Sequence, residues 1–126
     1  MKKGKLIGIE FAAVRDRTMQ GFTVYEYLIK RQEDGETVGD ACLRIGRVPP
    51  ELGNVGYSVD EDHRGQGYAT EALALLCSEA RALGLDGLSV ICRTENTPSR
   101  RVCEKCGGTL SVENCRNGLA LYKIKL

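Results

Sequence analysis

Between Asn54 and Cys92 the hydrophobic pattern changes period twice, and this alternation constrains the fold more than any other feature of the sequence. Asn54–Val59 reads as a strand. From Tyr68 to Leu83 the apolar residues Ala69, Ala72, Leu73, Leu76, Ala80 and Leu83 recur at spacings of three and four, which places them on one stripe of a helix. Gly84 then stands where a left-handed C-terminal cap belongs. Leu88–Cys92 is a short, strand-like apolar run. A strand, a helix and a second strand in this order form a right-handed crossover, with the two strands parallel or nearly so.

The flanking segments extend this unit. Lys5–Val14 carries Ile7, Ile9 and Phe11 at period two, a strand signature, and the polar Arg15-Asp16-Arg17 reads as a turn. Phe22–Arg31 is rich in aromatic and β-branched residues, and Glu33-Asp34-Gly35-Glu36 turns after it. Val38, Ala41, Leu43 and Ile45 mark a further strand, weakened by Gly39 and stopped by Pro49-Pro50. A second helix is expected near Pro98, with Thr97 as its N-cap and Gly107-Gly108 at its end. Thr109–Asn114 and Leu119–Leu126 close the chain as strands joined near Asn117-Gly118, a hairpin dipeptide. The order is β-β-β-β-α-β-α-β-β, an α/β (α+β) fold on a mixed sheet. No repeat, linker or low-complexity segment divides it, so residues 1–126 are expected to form a single domain.

Composition excludes several classes of function. Net charge is +1 and Trp is absent, which argues against a nucleic-acid surface or a base-stacking platform. No apolar run approaches the roughly 20 residues needed to span a bilayer. The basic start Met1–Lys5 leads into Leu6–Ile9, which Glu10 interrupts, so a secretory signal is not expected and the location expected is the cytoplasm. The six cysteines are Cys42, Cys77, Cys92, Cys103, Cys106 and Cys115. Cys77 and Cys92 lie in apolar segments, where a free thiol acts as a small hydrophobe. Cys103, Cys106 and Cys115 lack a fourth zinc ligand, since the sole histidine is His63, so no metal site is expected.

The junction between the first crossover strand and its helix carries the chemistry. It reads Val59-Asp60-Glu61-Asp62-His63-Arg64-Gly65-Gln66-Gly67-Tyr68-Ala69-Thr70. A helix start leaves backbone N–H groups unpaired and bears partial positive charge. Two glycines let the backbone approach a ligand, so the segment forms an anion cradle suited to a pyrophosphate. A Walker-type loop would need Lys-Ser or Lys-Thr after the glycines, and the three-glycine dinucleotide spacing is also absent. A tight strand-to-helix turn without a ligand is the alternative reading.

Arg64-Gly65-Gln66-Gly67-Tyr68-Ala69 resembles the Arg/Gln-x-x-Gly-x-Gly/Ala loop of the GNAT superfamily of N-acetyltransferases. Further on, Asn96-Thr97-Pro98-Ser99 and Glu104-Lys105-Cys106-Gly107-Gly108 resemble that family's Asn-x-x-Ser/Ala helix ending in Lys-x-Gly. The resemblance covers roughly Asn54–Gly108. It implies acetyl transfer from acetyl-CoA to a primary amine by direct attack in a ternary complex. Backbone amides of Arg64, Gly65, Gln66, Gly67, Tyr68, Ala69 and Thr70 would bind the pyrophosphate. Backbone groups of Val59 would bond the pantetheine amides between splayed strands Asn54–Val59 and Leu88–Cys92. The N–H near Tyr57 would polarise the thioester carbonyl, where oxyanion charge develops. Asn96 would bond the pantetheine arm and Ser99 would support the cofactor. Taken alone, Asn96 is also a chain-turning residue before Pro98, and Arg100 and Arg101 are either ligands of the adenosine 3′-phosphate or solvated charges.

The sequence departs from the family at three places. The general-acid Tyr expected seven residues after Asn96 is Cys103, and Tyr57, Tyr68 and Tyr122 are the alternative donors. The strand at Asn54–Val59 lacks the family's Glu, leaving Glu10, Glu26 and Asp40 on other strands as candidate bases. Between Val14 and Phe22 there is room for a loop only, where family members carry two helices. The acceptor side is then open, or a second subunit of a homodimer completes it. Two other readings compete: a non-catalytic acyl-CoA-binding sensor or regulatory module, and a nucleotide-phosphate binder of another class.

Overall fold

A computed structural model describes residues 6–17, 20–115 and 118–126. Its elements are β1 (Ile7–Arg17), β2 (Phe22–Arg31), β3 (Thr37–Gly46), β4 (Val55–Val59), α1 (Tyr68–Ala82), β5 (Gly87–Arg93), α2 (Thr97–Lys105), β6 (Gly108–Cys115) and β7 (Leu119–Lys125). This is the expected order of strands and helices. A short 3₁₀ turn, Glu61–His63, lies between β4 and α1.

The strands form two sheets rather than one continuous ladder: β1-β2-β3-β4, all antiparallel, and β5-β7-β6, also antiparallel. Arg15-Asp16-Arg17 does not turn. It continues β1, with Arg15 opposite Val24 and Arg17 opposite Phe22. The Arg15 guanidinium meets Glu26 across the pair at 2.6 Å, and an exposed edge strand accommodates such charge. Among the described residues no α-helix stands between β1 and β2. At the hairpin joining β6 to β7, Gly118 has φ 69°, as a tight turn requires, while Asn117 lies outside the described residues.

One face of the first sheet packs under the helices. Ile29, Ala41, Leu43, Val55 and Val59 join Ala72, Leu73 and Leu76 of α1 in a common core, which Val90, Tyr122 and Ile124 of the second sheet complete. Of the apolar stripe read along α1, Ala72, Leu73, Leu76 and Ala80 are buried, whereas Ala69 is half-buried and Leu83, the C-cap, is exposed. Along β2, β3 and β4 the intervening positions point to the opposite face, as the strand period of two demands. That face carries Glu26, Leu28, Asp40, Cys42 and Ser58, and neither described helix covers it.

Candidate functional site

Among the described residues, the hydrogen bonds that join the two sheets run through Asn54. The Asn54 N–H donates to Ser89 O at 2.8 Å, and Asn54 Oδ1 accepts from the Ser89 N–H at 2.7 Å and the Ser89 hydroxyl at 3.0 Å. Its Nδ2 reaches back to Arg44 O at 3.0 Å, so one amide ties β3, β4 and β5 together. Beyond it β4 and β5 share no ladder, as the splay of the family resemblance requires.

Register shows which backbone groups face the opening. The Arg44 N–H donates to Asn54 O, and the Asp60 N–H to Val38 O. Antiparallel alternation therefore directs the main-chain groups of Tyr57 and Val59 away from β3, toward β5. On the other side, the bonds from Thr94 N–H to Gly118 O and from Leu126 N–H to Asp86 O fix the β5–β7 phase. The main-chain groups of Ile91 and Arg93 consequently point toward β4. Two strand edges thus line a wedge closed at Asn54. An extended chain bearing amides suits such edges, because backbone polar groups require partners.

The wedge opens toward the glycine loop. Gly65 and Gly67 have φ of 78° and 84°, and Gly67 is the N-cap of α1 with no side-chain cap. Among the described residues, the first turn of α1 therefore presents its N–H groups without an intrahelical or side-chain capping partner. A Cβ on Gly65 would meet nothing within 4 Å, so the loop backbone is open to a ligand. Arg64 turns inward instead of outward: its Nε donates to Val59 O at 2.9 Å. The Tyr68 hydroxyl donates to Gln66 Oε1 at 3.0 Å, which holds the loop from beneath.

α2 supplies the third wall. Its N-cap is Asn96 rather than Thr97, and Asn96 Oδ1 accepts from the Ser99 N–H at 3.2 Å. The expected cap is off by one residue, because Asn caps at least as well as Thr and Thr97 already has helical geometry. At the other end of α2, Cys106 Sγ lies 3.4 Å from Thr70 O, which joins this helix to the first turn of α1. Arg100 is not a free phosphate ligand. Its guanidinium bonds the Tyr122 hydroxyl at 2.9 Å, Thr94 O at 3.0 Å and Glu113 at 2.9 Å.

Cys103, at the position of the family's acid, is fully buried; burial foremost, then the Cys92 thiol, push its pKa up to about 12. It remains a neutral thiol at ordinary pH. Tyr57 reaches the same place from β4. Its hydroxyl is buried and makes no hydrogen bond among the described residues. Burial raises its pKa well above that of an ordinary phenol; Ser99 opposes the shift, and the thiols of Cys103, Cys92 and Cys106 add to it. A buried hydroxyl left without a partner costs about 1–3 kcal/mol.

On the uncovered face of the first sheet, behind β4, lies a cavity of about 470 Å³ whose lining includes Glu26, Asp40, Cys42, Arg44, Gly56 and Ser58. Asp40 stands opposite Ser58 in the register, next to Tyr57, whereas Glu26 is engaged with Arg15. Glu10 lies on β1, opposite Leu28, and is not part of this cavity. Among the described residues no cluster of three His, Cys, Asp or Glu side chains could hold a metal ion, and no helix is long and apolar enough to cross a membrane.

A family model for the acetyltransferase (GNAT) domain matches residues 7–109. An acetyltransferase from Agrobacterium tumefaciens superposes with a TM-score of 0.66 at 30% identity, over 80% of this chain and 60% of that one. A GNAT-family acetyltransferase from Bacillus anthracis gives 0.68 at 21% identity, over 79% and 65%. RimL, a ribosomal L7/L12 alpha-N-protein acetyltransferase in complex with coenzyme A, gives 0.66 at 22% identity, over 86% and 64%. The last two similarities concern the fold alone. The chain spans less than two thirds of the length of each of these three structures. A search of curated proteins finds no match. The family match over most of the chain, with a wedge and an uncapped glycine turn where the resemblance requires them, establishes that the chain belongs to the GNAT acetyltransferase family.

Proposed function

We propose that the chain, acting as one domain over residues 1–126, transfers an acetyl group from acetyl-CoA to a primary amine in a ternary complex. The observation that carries this reading is the wedge between β4 and β5, continuous with the uncapped N-terminus of α1. The pyrophosphate would lie on the amides of Arg64–Thr70, where helix partial charge and free donors favour an anion. The pantetheine arm would extend along Val59, with Asn96 and Ser99 on its α2 side. Its amide takes the Val59 carbonyl once the Arg64 guanidinium swings off, which frees Arg64 for phosphate. The thioester then reaches the Tyr57 N–H, a fixed donor aimed at the developing oxyanion.

The amine would approach from the opposite face of β4, through the cavity lined by Asp40 and Ser58. Attack needs the amine in its neutral form, and Asp40 acting through a water would accept the proton released. Asp40→Asn is expected to lower kcat/KM by about 100-fold or more, with acetyl-CoA affinity unchanged. Steady-state kinetics beside calorimetry checks this; unchanged turnover would remove Asp40 from the mechanism.

Titration of acetyl-CoA into the purified protein, with ATP in parallel, tests the reading as a whole. Saturable binding of acetyl-CoA and none of ATP is expected, followed by release of coenzyme A in the presence of suitable amines. A folded protein that binds ATP alone, or neither compound, overturns the assignment. Binding without turnover across a broad amine panel would make the chain an acyl-CoA sensor instead.

A further inference from the structure

We propose that the Tyr57 hydroxyl donates the hydrogen bond that stabilises the departing sulfur of the acyl donor, a role that falls to β4 in this chain because the α2 position holds Cys103. This rests on the reading of the wedge as the acyl-donor site. Tyr57, Tyr68 and Tyr122 are the candidate donors, and the structure separates them. The Tyr68 hydroxyl is spent on Gln66, and that of Tyr122 is held between Arg100 and Glu104. The Tyr57 hydroxyl is buried and unpartnered among the described residues. The groups that act on it are the Ser99 hydroxyl and the thiols of Cys103, Cys92 and Cys106, all neutral. They come from α2 and β5, so the hydroxyl lies on the face of β4 that packs under the helices, beside α2 and β5.

One residue then serves two atoms of the thioester. Its N–H faces the carbonyl oxygen, and its O–H faces the sulfur. As the tetrahedral adduct collapses, the C–S bond breaks and its electron pair passes to sulfur, which leaves as a thiolate held by the Tyr57 O–H. The phenol keeps its own proton, since burial disfavours the phenolate. Solvent protonates the thiolate, and the proton lost by the amine passes through water to Asp40, so the charge balances.

The test uses coenzyme A labelled with ¹³C at the methylene beside sulfur, bound to the wild type and to Tyr57→Phe and titrated by NMR. A hydrogen bond to the charged form lowers a pKa, so the bound thiol should ionise about one pH unit lower in the wild type than in the variant. Coenzyme A affinity should change less than about threefold, because a hydrogen bond to a neutral thiol is weak. The variant keeps the ring and loses only an unpaired hydroxyl, so its melting temperature should not fall. Equal ionisation in the two proteins overturns this assignment alone. Failure of coenzyme A to bind the wild type removes the wedge reading and this assignment with it.

Discussion

Gly39→Ala is expected to lower the unfolding free energy by on the order of 3 kcal/mol and to abolish acetyl-CoA binding, although the substitution adds one methyl group in a strand. The cause is proximity, not backbone conformation. A Cβ on Gly39 would lie 2.1 Å from Ser58 O and 3.0 Å from Val59 Cα, and both are backbone atoms that no rotamer change can move aside. Gly39 pairs with Val59 at the end of the β3–β4 ladder, so the clash pushes β4 off its neighbour. β4 has no ladder on its other side to hold it, and among the described residues its hydrogen bonds to β5 are those of Asn54. The strand that presents Tyr57 and Val59 to the wedge would therefore move. Urea unfolding followed by circular dichroism should show the midpoint falling at a nearly constant slope. A variant with the wild-type midpoint would mean that β3 and β4 do not approach this closely.

Gly39 also shows what a sequence can disclose and what it cannot. Read along the chain, a glycine inside β3 is a weak spot in a strand. Read in the fold, it lets two strands close on each other where a methyl group would hold them apart. The same contrast runs through the site. The glycine loop and the α1 stripe are legible because their signals are local: two glycines, a helix period and a strand on either side. The close succession of β1 and β2 is legible from length alone. Arg15 reads as part of a turn because its partner, Glu26, lies on the next strand. Asn54 gives no sign of its role, since its partner Ser89 is 35 positions away and neither residue forms a motif. Arg100 looks free for a phosphate until Tyr122 and Glu113 come to it through the β5-β7-β6 sheet. Tyr57 is legible for its backbone, from the family resemblance, but not for its side chain. The groups around its hydroxyl come from α2 and β5, far along the chain.

Gly67→Glu is expected to reduce acetyl-CoA affinity by more than about 100-fold while leaving the protein folded, and Gly67→Ala separates the reasons. Gly67 has φ 84°, so any side chain there incurs left-handed strain of about 1–2 kcal/mol. Space is not the obstacle, because the nearest atom to a methyl group at this position would be Leu6 Cδ1 at 3.9 Å. Alanine and glutamate share that strain, so both variants should lose stability, glutamate the less. Glutamate is even favoured on the free protein, where a negative charge at a helix N-terminus meets the macrodipole. The charge becomes unfavourable only when a pyrophosphate occupies the same amides. Two like charges about 5 Å apart at an effective dielectric near 20 repel by roughly 3 kcal/mol, which exceeds a hundredfold in the dissociation constant. Calorimetry on the three proteins should therefore give tight binding for the wild type, a modest loss for alanine and no measurable binding for glutamate. If glutamate and alanine bound acetyl-CoA equally, the anion would sit elsewhere, and the glycines would serve only to turn β4 into α1.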